Sequence, residues 1–133
     1  MPAGWPTIAE AAQTELLQRL PGKWRIDPKP YAGLTDVTRV PVTCGILTAR
    51  QIAITELTVT ELSGHIRTRA LRAVEVLEAF AARAAIAHQL VFCLTDWFYE
   101  EGLRRAKELD DILDNGGQPL GPLHGVPVAL KAT

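Results

Sequence analysis

Lys131 ends a short apolar run, residues 126 to 131, that follows the turn-forming string Gly121-Pro122-Leu123-His124-Gly125. A lysine delivered this way can serve chemistry as a base, and an amine is a base only when neutral. Free lysine has a pKa of about 10.4, so roughly one molecule in a few thousand is neutral at pH 7. Burial in a closed site disfavours the ammonium and raises that fraction. Without such a site, a lysine closing an apolar strand is an ordinary solvated terminus, and the turn before it is what singles this one out.

Other reactive side chains are sparse. Ser63 is the only serine, and His65 lies two residues away, so on a helix the two side chains diverge. Ser63 is expected on a solvated helix surface. His65, His88 and His124 share no metal-ligand spacing, and a helix C-terminal dipole accounts for His88; no metal and no cofactor are expected. Glu100-Glu101 and Asp110-Asp111 are adjacent pairs that diverge by about 100° on a helix and cannot share one substrate atom. Glu100 with Arg104, and Glu101 with Arg105, have the i,i+4 spacing of helix-surface ion pairs. The string from Gly116 to Gly121 follows a helix and precedes a strand, the reverse of a phosphate loop. The two cysteines, Cys44 and Cys93, are too few for a zinc cluster. The first residues lack the charged and apolar regions of a secretory signal, so reduced, buried thiols and a cytoplasmic setting are expected.

The elements that must position these groups follow from composition and periodicity. The 133 residues are 47% apolar and 22% charged, a globular composition. Fourteen Lys and Arg against 15 Asp and Glu leave a net charge of -1, no footprint for nucleic acid or an anionic membrane. No apolar stretch approaches a membrane span. Thr7 with Glu10 has capping-box spacing, and a helix with Ile8, Leu16, Leu17 and Leu20 is predicted to end at Pro21-Gly22. Pro21, Pro28, Pro30 and Pro41 then rule out long helices, so residues 1–47 read as a helix plus an extended arm. Helical character resumes near Thr48, with a second capping box at Thr58 and Glu61 and Val59, Leu62 and Ile66 at helical spacing. A nearly all-round apolar helix is predicted from about residue 70 to 90, with Ala73, Val74, Leu77, Ala81, Ala84 and Ala85 as its main stripe. Residues 90 to 94 end that helix or form a short buried strand; periodicity does not separate the two. Another helix, about 96 to 113, presents Tyr99, Leu103, Ala106, Leu109 and Leu113. The turn Asp114-Asn115-Gly116-Gly117 stops it. Residues 126 to 131 read as a buried strand. With at most one other strand candidate, that strand lacks neighbours for its backbone groups, and the sheet is incomplete.

The string at residues 121–131 resembles the lysine-bearing motif of the amidase signature family, in which a Gly-Pro-Leu-x-Gly-x-Pro turn and a short strand lead to the catalytic lysine. Cys44-Gly45-Ile46-Leu47-Thr48, Ile54-Thr55-Glu56, Arg83-Ala84-Ala85-Ile86-Ala87-His88-Gln89 and Ala106-Lys107-Glu108-Leu109-Asp110 are similar, in that order, to the acetamidase-like branch known from fungi. The resemblance implies an α/β fold of which this chain is the N-terminal portion: mostly helical, with one or two short strands. Residues 1–47 would be a helix and arm, and 48–133 the start of the amidase domain. It implies a Ser–Ser–Lys mechanism on small amides with Lys131 as base, and Gly121, Pro122, Gly125 and Pro127 supporting the motif. The chain departs from the pattern: Ala132 replaces the usual Asp, Ala129 stands where many relatives carry serine, Thr133 is last, and the Gly/Ser-rich segment with both serines is absent. The chain alone is therefore expected to be an inactive fragment. The alternatives are a helical binding module, or a subunit completed by a full-length or complementary amidase.

Overall fold

Two threonines set where the central helices begin. In the computed structural model, which describes residues 4–131, Thr48 and Thr58 each accept a hydrogen bond from the backbone N–H three residues on. The Gln51 and Glu61 side chains return the bond to the threonine N–H at 3.0 and 2.8 Å. These complete capping boxes start α3 (Ala49–Thr55) and α4 (Val59–Arg67). Glu61 is held below the usual carboxylate range, chiefly by the backbone and side-chain hydrogen bonds of Thr58. The box expected at Thr7 does not form. Helix α1 (Trp5–Arg19) starts earlier, because Pro6 fits the first turn, where no N–H bond is needed. Thr7 then lies inside the helix and cannot cap it.

The remaining helices are α2 (Val40–Thr43), α5 (Ala73–Val91) and α6 (Tyr99–Asp114), with 3-10 turns at Gly22–Trp24 and Lys29–Tyr31. Among the described residues there is no strand. Residues 92 to 94 are irregular, Phe92 taking a left-handed φ of 50° as the chain leaves α5. The chain divides into two units. One comprises residues up to Ile46 with Ala84–Trp97, the other Leu47–Arg83 with the residues from Phe98 onward. Every residue of α5 from 73 to 90 is at least half-buried, as its apolar composition requires. The most buried line is Ala73, Val76, Ala79, Ala82, Ala85 and Ile86, rotated from the predicted stripe.

In the first unit the proline-rich arm is tied down through its backbone. Gln89 donates from Nε2 to the Trp24 carbonyl at 2.8 Å and accepts from the Ile26 N–H at 3.0 Å. Trp24 is buried and meets Trp97 edge-on, ring centroids 6.3 Å apart. Arg25 donates to the Leu17 and Gln18 carbonyls at 2.9 and 3.1 Å, adding a side-chain donor to the last turn of α1. His88 is buried, and its Nδ1 accepts the Leu94 N–H at 3.1 Å. It is thus a neutral cap on the turn after α5, not a charged partner of the helix dipole. Burial pushes its pKa down. Cys93 is exposed and Cys44 half-buried, because the run carrying Cys93 leaves the helix instead of entering a sheet.

In the second unit Ile54, Leu62, Ile66, Leu71, Val76 and Ala79 form the core, with Leu57, Phe80, Leu113 and Val126 packed against it. Asp110 of α6 is 1% exposed. Its carboxylate accepts the N–H groups of Ala73 and Val74 at 2.8 and 3.1 Å and so caps α5 from another helix. Arg69 and Arg72 approach the same carboxylate at 3.5 and 3.6 Å. Both also bind Asp114, whose carboxyl they hold below the usual range, Arg72 most strongly. Arg69 follows α4 in a left-handed conformation (φ 64°) that its side-chain partners hold in place. At the end of α6, the Gly117 N–H reaches the Ile112 carbonyl at 2.8 Å and the Gly116 N–H reaches that of Leu113 at 3.1 Å. This is the Schellman stop expected of the Asn-Gly-Gly string. The helix-surface ion pairs of α6 are Arg104 and Arg105 with Glu108, at 2.5 and 3.0 Å, in place of the predicted pairs with Glu100 and Glu101.

Two expected outcomes test these anchors. Asp110→Ala leaves two N–H groups at the start of α5 without an acceptor, and denaturant unfolding should show a loss of about 1–3 kcal/mol. His88 is depressed in the folded chain, so its contribution is full above the unfolded histidine pKa of about 6.5 and declines as pH falls through it toward the folded value. Thermal melts from pH 7.5 to 5 should fall more steeply for the native chain than for His88→Asn, which keeps an acceptor for Leu94; equal slopes would rule His88 out.

Candidate active site

The residues that the motif brings together are those of its turn. Residues 121 to 126 fold into two overlapping backbone-bonded turns: the His124 N–H donates to the Gly121 carbonyl at 3.2 Å, and the Val126 N–H to that of Leu123 at 3.0 Å. Gly125 adopts φ +77°. A Cβ there would lie 2.9 Å from the Ala73 Cβ and 3.2 Å from two Ile66 side-chain carbons, so glycine is required by close approach as well as by conformation. Val126 then enters the core cluster.

Two side chains with no place in the expected chemistry hold this turn. Ser63 is buried on α4, and its hydroxyl donates to the Pro122 carbonyl at 2.7 Å, so it is not the solvated surface residue expected. It borders an open cleft of about 420 Å³ lined by Val59, Thr60, Gly64, Arg67, Pro122 and Leu123. His65 lines a different cleft with Arg50, Leu57 and Leu71. The two side chains therefore diverge as helix geometry requires, and Ser63 has no histidine base. His124 is 5% exposed. Its Nδ1 accepts the Leu120 N–H at 3.0 Å, which leaves the proton on Nε2 for the Leu109 carbonyl at 3.0 Å. No spacing signal marks either residue: their partners are backbone atoms of other elements.

Beyond Val126 the packing stops. Pro127 is half-buried, and Val128, Ala129, Leu130 and Lys131 are exposed, Leu130 at 84%. Residues 126 to 131 are irregular and not the buried strand predicted, because no other strand is present among the described residues to accept their backbone groups. Of the motif residues, Pro122 and Gly125 are held against α4 and the start of α5, Gly121 accepts the His124 N–H within the turn, and Lys131 lies at the end of the exposed segment. The residues at 132 and 133, where the pattern departs from the resembled motif, lie outside the described residues.

Known proteins resemble this chain in sequence and in fold. The family model for amidases, described as "Amidase", matches residues 75–133, which include the whole turn and Lys131. An amidase of Gibberella zeae is 59% identical over 127 residues, 96% of this chain. The chain is thus similar to amidases along nearly its whole length. An acetamidase of Aspergillus oryzae is 39% identical over 97% of the chain. Among solved structures, fatty acid amide hydrolase superposes with a TM-score of 0.80 at 36% identity over 92% of the chain. The amidase relatives are far longer: the chain spans 23% of each of those two fungal proteins and 22% of the fatty acid amide hydrolase chain.

The close seat of Gly125 can be measured against a second left-handed glycine. Gly33 has φ +87° but open space around its Cβ position. Gly33→Ala should cost roughly 1–2 kcal/mol of backbone strain alone. Gly125→Ala adds an overpacking cost of about 1–3 kcal/mol, so chemical denaturation should show the larger loss at Gly125.

Proposed function

We propose that this chain is the base-bearing N-terminal part of an enzyme that hydrolyses carboxylic amide C–N bonds, with Lys131 as the general base. The observation that carries the reading is the amidase match over residues 75–133, coinciding with a turn whose glycine is locked into the core six residues before Lys131. In the reaction, the neutral lysine takes a proton from a bridging serine, which takes one from a nucleophilic serine. The nucleophile attacks the amide carbonyl, the amine leaves with a proton, and water hydrolyses the acyl-enzyme to the acid. The 133 residues contain one serine, and its hydroxyl is committed to Pro122. We therefore read the chain by itself as inactive, both serines coming from polypeptide of the kind that makes up the rest of the longer relatives. Covering Lys131 with that polypeptide supplies the desolvation a lysine base needs. The exposed apolar side chains of Val128 and Leu130 are suited to being covered, which favours completion by further polypeptide over a free-standing binding module. Two free cysteines fit a reducing compartment such as the cytoplasm.

The test is a hybrid in which this chain replaces the matching stretch of the Gibberella zeae amidase. The chain alone should not hydrolyse acetamide or another simple amide. The hybrid should, and Lys131→Ala should lower its kcat by about 10²–10⁴-fold, the usual worth of a general base. Turnover by the isolated chain that depends on Lys131, or a hybrid indifferent to Lys131→Ala, would overturn the reading.

A further inference from the structure

We propose that Ser63 and His124 are positioning residues for Lys131: together they fix the turn at residues 120–125 and hence the direction in which the lysine-bearing segment leaves the helices. The inference rests on the reading of Lys131 as the base. A serine inside a helix ordinarily bonds back to a carbonyl of its own preceding turn. Ser63 instead donates to Pro122, 59 residues away, from the buried side of α4 beside Leu62 and Ile66. His124 spends both ring nitrogens on backbone, one on Leu120 at the start of the turn and one on Leu109 of α6. The turn is thereby tied to α4 by one bond and to α6 by another, while Gly125 rests against Ala73 at the start of α5.

Three helices thus fix one short loop, and past Val126 the exposed segment has no comparable anchor among the described residues. Pro127 restricts Val126 to extended backbone, so an orientation set at the turn is carried into the segment. Pro122 is itself exposed, so its carbonyl can turn to water when the serine hydroxyl is removed. The serine bond therefore contributes more to where the turn sits than to whether the chain folds.

Amide hydrogen exchange followed by NMR on the 133-residue chain tests this. The N–H groups of Leu120, His124 and Val126 are all hydrogen-bonded within the turn and report on it directly. In Ser63→Ala they should exchange at least tenfold faster while the amides of α4 and α6 stay within twofold of the native chain, and Ser63→Thr should restore slow exchange. His124→Phe keeps a ring in place without its hydrogen bonds and should free the same three amides, which provides the measurement if the serine variant does not fold. Unchanged exchange in the turn, or equal acceleration throughout α4 and α6, overturns the proposal. In the hybrid enzyme, Ser63→Ala should lower kcat at least tenfold with KM within twofold; an unchanged kcat also overturns it. A hybrid insensitive to Lys131→Ala refutes the lysine assignment alone, and the exchange result still decides whether Ser63 and His124 hold the turn.

Discussion

The second unit depends on one buried carboxylate. Asp110 belongs to α6 but satisfies the first N–H groups of α5. Burying a carboxylate is costly unless hydrogen-bond donors and opposite charge surround it. Here the donors are the helix start, with its partial positive charge, and the guanidinium groups of Arg69 and Arg72. One interaction thus sets the register between α6 and α5 and orders the left-handed exit from α4. Ala73, whose N–H is bound by Asp110, also carries the methyl group against which Gly125 lies. The seat of the motif turn therefore depends on the Asp110 bond.

The turn itself shows how the lysine-bearing motif is supported by the helices around it. Its glycine is explained by space, its histidine by two backbone bonds, and the serine that binds it by the single carbonyl of Pro122. None of these groups is free to react. Lys131, the proposed base, stands beyond them on an exposed apolar segment. The residues that hold the backbone are thus distinct from Lys131, whose proposed role as a base requires surroundings that these residues alone do not form.

Local signals in the sequence were legible where the physics is local. Thr58 with Glu61 needs only four residues to form a capping box, and Asn115-Gly116-Gly117 only a few to stop a helix; both appear as expected. Thr7 with Glu10 shows the same pattern and fails, since Pro6 offers a competing start. The apolar helix around residue 80 was legible as buried, but its most buried line was not, because small alanines on every side make the stripe ambiguous. The strand expected at residues 126 to 131 was a correct reading of apolar composition, but a strand exists only through its neighbours.

By itself the amino-acid sequence determined the resemblance to amidases, the starts and stops of several helices, and the lysine motif that suggests amide chemistry. Those rest on covalent spacing and on contacts a few residues apart. Only the tertiary structure decided that Ser63 and Asp110 are buried, that His124 clamps a loop to a helix, that Cys93 is exposed, and that Lys131 stands outside the core. Each of these depends on a partner brought close by folding from a distant part of the chain, or on the absence of one, and a polar residue's type does not say which backbone group it will meet.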